Sequence, residues 1–281
     1  MPLESVSELV RIGEGRSAEI LEWEAGRVLR LYHAGASLGW VQRELRVFRA
    51  VHEADVPCPG VYPVDSEDGL LRVEDRLGFV MDRIDGPTML EKLTEQPWKL
   101  WPLARLLAKL HADIHDQCSQ TLPSQRERFH RVIDHLAEQL EPDVIARLHQ
   151  TLDNLDDGNV ICHGDFHPDN IILSDRGPMI IDWGPATAGA PAADVAWTVF
   201  LFKNGGYPPG MRWWQRIIMA VLRRLFLFAY LRSYFRLSAT SRGDVEDWEV
   251  VNAAIRLADG FPEERDGLLQ VLRAFGEKAS S

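Results

Sequence analysis

The hydrophobic and polar positions of this chain change rhythm about a third of the way along. Over residues 8–32 the apolar positions alternate or sit in β-branched runs, in LVRIGEG, SAEILEWEAG and RVLRLYH, with glycines at the joints. That pattern predicts two or three short strands joined by tight turns. Ser37 then stands as an N-cap before LGWVQRELRVFRAVHEA, where Trp40, Leu45 (with Val41), Phe48, Val51 and His52 recur at helical spacing. Prolines at 57, 59 and 63 stop that helix. Two more strand-like runs follow, near 70–73 and 77–81. From about Thr88 the period becomes helical, over 101–115, 129–140 and 144–155. An island of strand and loop, NVICHGDFHPDNIILSDRGPMIIDWG, interrupts it, and helical character resumes at Ala192 with breaks near Pro208 and Gly243. There is no internal repeat and no low-complexity linker. The layout predicts an α+β chain with a small β-rich lobe, residues 1–85, and a larger, mostly helical lobe, residues 86–281.

Composition narrows the partners. A chain of 281 residues that is 46% hydrophobic can bury a core of one large domain, or of two lobes packed as a unit. Lys+Arg at 31 against Asp+Glu at 42 gives a net charge of −11. No basic stripe for nucleic acid fits that balance; a cationic substrate or plain solubility does. Cys58, Cys118 and Cys162 lack metal-ligand spacing and read as ordinary buried thiols of a reducing compartment. MPLESVSELV has no basic region followed by an apolar run, so a cytoplasmic protein without a signal peptide is expected. The strongest membrane candidate, residues 213–237, carries Arg216, Arg223, Arg224, Arg232 and Arg236. Spanning a bilayer would bury several of these at a cost of several kcal/mol each. The segment therefore reads as a core helix with a basic face and no stable membrane insertion; an interfacial helix is the alternative.

The chemistry concentrates between His163 and Trp183. HGDFHPDN precedes two apolar strands, IIL and MII, joined by the turn SDRGP. A hairpin there would bring Asp165 and Asn170, before it, near Asp182 at its far end. Magnesium takes hard oxygen ligands and keeps waters and phosphate oxygens. A separate carboxylate must receive the proton of an acceptor hydroxyl. Taken singly, each of these residues is ordinary turn chemistry; together they suit phosphoryl transfer.

The run HGDFHPDN followed by IIDW closely resembles the aminoglycoside phosphotransferase and choline kinase-like family, which shares the protein-kinase-like fold. The resemblance implies a bilobal protein-kinase-like fold whose cleft holds ATP and Mg2+, with a small-molecule hydroxyl as acceptor. By that resemblance Asp165 is the catalytic base, and Asn170 and Asp182 hold magnesium. His163 is structural and His167 packs the loop. Gly13, Gly15 and Ser17 fall in a phosphate-covering loop, where glycines admit close backbone approach. Arg30 stands where the family has a lysine pairing with the phosphates, a departure, since a guanidinium fork is not a point charge. Glu44 would be its helix partner. FVMDRIDG resembles the hinge, with Met81 lining the base pocket and backbone groups near Asp82 and Ile84 bonding adenine. Met81 leans towards ATP over GTP. Asp194 resembles the residue that braces the catalytic loop.

His111 and His115 are four apart, but HADIH lacks the glutamate of a zinc protease, so they cover the base of the lobe. Trp213 and Trp214 line either a pocket or the core. An aminoglycoside or amino sugar is the favoured acceptor, with acidic stretches at 153–157 and 246–249 as candidate rims or solvated faces. Macrolides, choline, homoserine and sugars are alternatives. So is a non-catalytic, nucleotide-binding pseudokinase, for which Arg30 leaves room, and a lipid or lipopolysaccharide sugar kinase, suggested by the helix at 213–237.

Overall fold

The computed structural model describes residues 9–15, 17–207 and 210–277. Along the chain the elements are β1 (Arg11–Glu14), β2 (Ala18–Glu24), β3 (Arg27–Tyr32), α1 (Leu38–Glu53), β4 (Val61–Tyr62), β5 (Leu71–Val73), β6 (Arg76–Asp82), α2 (Met89–Glu95), α3 (Leu100–His115), α4 (Gln125–Asp134) and α5 (Pro142–Asn154). They continue with β7 (Val160–Cys162), β8 (Ile171–Ser174), β9 (Gly177–Ile180), β10 (Thr187–Gly189), α6 (Pro191–Asn204), α7 (Trp213–Leu237), α8 (Arg242–Asp247), α9 (Glu249–Ala258) and α10 (Pro262–Glu277). The described residues form two compact units. One takes the chain up to Lys92 together with Pro168–Gly184; the other takes Leu93–His167 and the chain from Pro185 onward.

The first unit is built on an antiparallel sheet in the order β1-β2-β3-β6-β4, with β5 also paired to β6. Alternation places Leu21, Leu29, Leu31, Val73 and Val80 in one buried cluster. The helix α1 starts where Ser37 accepts a hydrogen bond from the Trp40 N–H and buries Val41, Leu45, Phe48 and Val51. Phe48 meets Phe79 of β6 at 5.5 Å between ring centroids. Only glycine fits at 78, because a Cβ there would lie 2.6 Å from the Arg30 carbonyl oxygen. The hairpin β8–β9 joins this unit: the Ile180 N–H donates to the Pro57 carbonyl at 2.7 Å and the Leu173 N–H to the Pro87 carbonyl at 2.9 Å. Gly86, at φ +149°, lets Leu173 approach, since a Cβ would stand 2.5 Å from the Leu173 carbonyl oxygen.

The second unit is mostly helical, with one short antiparallel pair, β7–β10. Four expectations change here. The helix read over 129–140 starts earlier and ends at Asp134, and 136–140 are turns, as in the Gln139 N–H to Leu136 carbonyl bond of 2.8 Å. Pro208 lies outside the described residues. Gly243 is inside α8, and the break precedes it, where Ser241 accepts from the Asp244 N–H and caps the helix. Cys118 is exposed, unlike Cys58 and Cys162. The basic-faced core helix at 213–237 is core on one side only. It buries Phe226, Ala229, Tyr230 and Tyr234 but leaves Trp213 74% and Trp214 44% exposed. Apolar content alone says nothing about whether a partner covers it. No helix among the described residues is long and apolar enough to cross a membrane.

Candidate active site

In the sheet unit, Asn170 and Asp182 come together through the hairpin. Asn170 closes a 3-10 turn, Pro168–Asn170, immediately before β8, and its side chain is buried. Its backbone carbonyl accepts the Ile181 N–H at 3.0 Å, which brings the residues just after β9 back alongside it. Asp182 follows with φ +61°, a left-handed conformation uncommon outside glycine. The fully buried Trp183 holds this corner by donating from Nε1 to the Ile180 carbonyl at 2.9 Å. The Asp182 side chain nevertheless stays 47% exposed. A strained backbone that presents an open carboxylate is the kind of outlier that gathers at functional sites.

Arg30 links this carboxylate to α1. From β3, its Nη2 lies 2.7 Å from Glu44 Oε1 and 3.4 Å from Asp182 Oδ1. Burial works against the guanidinium charge, but Glu44, Tyr32 and Asp182 outweigh it and raise its pKa further. Glu44 itself is 3% exposed, so the ion pair is an interior one. The same surroundings push the Tyr32 phenol up, burial first among the causes.

Gly13 lies within β1, opposite Ile20 of β2, and Gly15 lies between the two strands. The Gly15 N–H donates to the Ala18 carbonyl at 2.8 Å, and the Ser17 carbonyl accepts the His33 N–H at 3.0 Å. Arg16, between them, lies outside the described residues. A Cβ at Gly13 or Gly15 would make only ordinary contacts, at 3.6 and 3.5 Å, so the surrounding chain does not itself demand glycine at either position. In β6, which is paired on both sides, Met81 is buried. The Asp82 N–H is already given to the Gly60 carbonyl at 2.9 Å, and its carboxylate accepts from the Gly60 N–H at 2.8 Å and the Tyr62 hydroxyl at 2.7 Å. Asp82 is thus spent within the sheet. Ile84 forms no hydrogen bond among the described residues.

Asp165 belongs to the helical unit, apart from the unit of Asn170 and Asp182. Its carboxylate lies 3.5 Å from His167 Nε2 and accepts from Trp197 Nε1 at 3.4 Å. Burial would raise this carboxyl, but His167, His163 and the Trp197 N–H together hold it below the usual carboxylate range. It is an ionised, partly open acceptor.

Beneath the loop that carries it sits a closed network. Asp194 of α6 accepts the N–H groups of His163 at 2.6 Å and Gly164 at 2.8 Å. Its Oδ2 also lies 3.1 Å from His111 Nε2 and 3.3 Å from His115 Nε2. Burial opposes its charge, but the two imidazoles hold the carboxyl well below its ordinary value. An ionised carboxylate only accepts, so both Nε2 atoms carry hydrogen. Burial keeps His111 neutral, so its Nδ1 accepts from the Tyr230 hydroxyl at 2.6 Å, and His115 Nδ1 shares a hydrogen bond of the same length with the Tyr234 hydroxyl. The ligand atoms of His111, His115 and Asp194 lie within 4.8 Å of one another, a spacing a metal ion could use. Every ring nitrogen is already occupied by a hydrogen bond, so the cluster is complete without a metal. Gly164, at φ +78°, completes the bend; a Cβ would stand 2.9 Å from the Pro185 carbonyl oxygen.

The model of the phosphotransferase enzyme family matches residues 8–239. The chain belongs to that family. This phosphotransferase has the protein-kinase-like fold. Solved structures with the same fold include amicoumacin kinase hAmiN in complex with AMP-PNP, Ca2+ and Ami, at TM-score 0.64 and 14% identity, covering 98% of this chain and 90% of that one. A thermostable mutant of aminoglycoside phosphotransferase APH(4)-Ia, in a ternary complex with ADP and hygromycin B, aligns at TM-score 0.59 and 17% identity over 98% and 95%. A choline/ethanolamine kinase family protein from Mesorhizobium loti aligns at 0.59 and 18% over 95% and 87%. No curated protein sequence matches significantly.

Sequence reasoning missed Tyr230 and Tyr234 in the phosphotransferase. A usable signal was present: two histidines four apart on one helix and two tyrosines four apart on another. It also assigned His167 to packing, whereas His167 stands beside the Asp165 carboxylate.

Proposed function

We propose that this phosphotransferase moves the γ-phosphoryl group of ATP, with Mg2+, onto a hydroxyl of a small amino sugar or aminoglycoside-type molecule. The observation that carries the reading is Arg30, held by buried Glu44 at 2.7 Å while its Nη2 reaches the strained, open Asp182 at 3.4 Å. A cation fixed beside hard oxygen donors is what a triphosphate needs. Asn170 and Asp182 offer one amide and one carboxylate oxygen, and Asp182 keeps an open side for waters and phosphate oxygens, so the donor set fits magnesium. When bound, that ion would neutralise charge on the phosphates. Gly13 and Gly15, which the chain itself does not require, would admit close approach of the phosphates. Ile84, with its backbone groups unspent, is a better adenine partner than Asp82.

Asp165 is read as the base. The acceptor oxygen bonds to the γ-phosphorus, the bond from that phosphorus to the β–γ bridging oxygen breaks, ADP leaves, and the hydroxyl proton passes to the Asp165 carboxylate. A carboxylate below its ordinary pKa is a weak base, so positioning carries more of this step than basicity. His167, beside it, would orient the carboxylate.

The acceptor reading rests on different residues. The stretches at 153–157 and 246–249 lend little, because Asp153 pairs with His130, Asp157 with Arg126 and Glu249 with Lys203. Asp259, after α9, is the better candidate, since its pairing with Arg256 is looser, at 3.5 Å. Burial, outweighing nearby Arg256 and Arg128, raises its carboxyl, and Asp165 adds to the rise. Two carboxylates that feel each other attract an ammonium group, as an aminoglycoside or amino sugar carries.

The test is ADP release from Mg2+ and ATP against a panel of aminoglycosides, amino sugars, amino alcohols and macrolides. Turnover should appear with at least one amine-bearing acceptor. Asp165→Asn should lower kcat by about 10²–10⁴-fold, and Asp259→Asn should raise KM for the acceptor alone. An Asp165→Asn enzyme as fast as wild type would remove the base assignment. No turnover on any acceptor, with ATP still bound, would favour the nucleotide-binding pseudokinase.

A further inference from the structure

The helix α7 carries a second face that the described residues leave largely open, with Trp101 of α3 meeting Phe228 edge-on at 6.5 Å between ring centroids. Trp214, Ile218, Val221, Leu225 and Phe228 are spaced four, three, four and three apart, and each is 42–53% exposed. Arg232, four residues on, continues the same stripe. This is the spacing of a seam that another helix fills, and it runs opposite the side that buries Phe226, Tyr230 and Tyr234. An exposed apolar strip of this length is unusual on a solitary protein.

We propose that this stripe is a twofold interface, on which a second copy of the chain docks with its α7 antiparallel. Three features select that occupant. The stripe is complementary to itself when reversed. About a midpoint at residue 223, position 221 of one copy meets 225 of the other, 218 meets 228, and 214 meets 232. Apolar pairs thus fill the middle, and an arginine faces a tryptophan at each end, a favourable cation–π pairing. The composition also fits a protein partner. No Lys, Asp or Glu occurs between Lys203 and Asp244 in a chain of net charge −11, while Trp, Met and Arg recur. Interfaces are enriched in those three and depleted in the other charged types.

The third feature separates this partner from a bilayer. A helix lying on a membrane flanks its apolar face with cations along its length. Here Arg223 is turned back onto the Gly205 and Gly206 carbonyls, and Arg216 and Arg223 both lie over the Tyr207 ring. Arg232 terminates the stripe rather than flanking it. Arg232 has no ion-pair partner among the described residues, which suits an end position that awaits an aromatic ring.

Sedimentation velocity and light scattering on the full chain should give a dimer at micromolar concentration. Val221→Asp with Leu225→Asp should weaken dimerisation at least ~100-fold and leave the helical signal in circular dichroism unchanged. Register has its own test, in a Cys118→Ser background. Oxidising a mixture of Trp214→Cys and Arg232→Cys proteins should give a crosslinked mixed dimer, and either protein alone should stay uncrosslinked. A monomeric wild type overturns the proposal, and one that also pellets with phosphatidylglycerol vesicles assigns the stripe to an anionic bilayer. A dimer indifferent to the aspartates, or crosslinking of Trp214→Cys with itself, overturns it as well. If the double aspartate fails to fold, the cysteine mixture still decides.

Discussion

Two charged networks, one in each unit, use similar groups to opposite ends. In the sheet unit, Arg30 joins buried Glu44 to Asp182, whose side chain is 47% exposed and whose backbone is strained. In the helical unit, Asp194 takes hydrogen bonds from two loop N–H groups and two imidazoles, and two tyrosine hydroxyls close the outer side. The first network ends in an open carboxylate; the second ends in a fully buried one. An open end leaves charge available to a ligand. A closed end spends all of its charge on holding backbone in place. The two therefore should respond to the same substitution in different currencies, one in binding and one in stability.

The widest separation comes from removing one negative charge in each. Asp194→Asn turns a buried acceptor into a partial donor facing the N–H groups of His163 and Gly164, and leaves two imidazoles without their ion. Losing one partner of a buried charged network costs about 3–5 kcal/mol, so a large drop in melting temperature, or failure to fold, is expected. Asp182→Asn removes an exposed charge and should shift stability by less than ~1 kcal/mol. It should still weaken Mg2+-dependent nucleotide binding in calorimetry. Equal stability losses from the two variants would dissolve the distinction between a closed and an open network.

Acid should find the closed network first. Burial holds the His111 imidazole down at about 3, against an ordinary value near 6.5. Below pH 6.5 the unfolded chain therefore takes up a proton that the folded chain refuses, and stability falls as pH drops from there towards 3. Asp194 acts at lower pH. Its depressed carboxyl contributes fully above the ordinary carboxylate value of about 4, and that contribution is lost as pH falls through its folded value. Between pH 6.5 and 4 the slope should approach ~1.4 kcal/mol per pH unit, one proton's worth. His111→Gln, which can donate to Asp194 and accept from Tyr230, should flatten the melting temperature across that window. A slope unchanged by His111→Gln would move the acid sensitivity elsewhere.

The open network was far more legible in the sequence than the closed one. Asn170 and Asp182 lie within one short run, and the two apolar strands between them announce their own hairpin by period and turn residues. Ser37 reads as a cap because capping is local chemistry. Arg30 and Glu44 were legible as a pair only through resemblance, and the sheet and α1 bring them together. Tyr230 and Tyr234 lie more than a hundred residues from the histidines they bond, so no local rule points at them; only the matched spacing does. The exposed half of α7 misled for a related reason. Hydrophobicity marks what ought to be covered and is silent on whether the cover comes from the same chain. The left-handed backbone at Asp182 was not legible at all, because aspartate tolerates many conformations.

The smallest effect is the sharpest test of how the closed network works. Tyr230→Phe removes one hydroxyl and no charge, so it should cost only about 1 kcal/mol. The His111 Nδ1 would then be a buried acceptor without a donor, free to take the hydrogen itself. In that tautomer Nε2 has none to give, and Asp194 loses one of its four hydrogen bonds. The loop carrying Asp165 would sample more positions, so kcat should fall severalfold while KM for the nucleotide stays constant. Tyr234→Phe should do the same through His115, and the two together should exceed the sum of each, since one imidazole can still orient Asp194 when the other is lost. Nitrogen chemical shifts of His111 report the tautomer directly. A Tyr230→Phe protein with a changed tautomer and an unchanged kcat would show that the tyrosines brace the core and do not position the loop. If kcat fell with the tautomer unchanged, the effect would belong to the packing of the Tyr230 ring against His111 and not to the placement of the imidazole hydrogen.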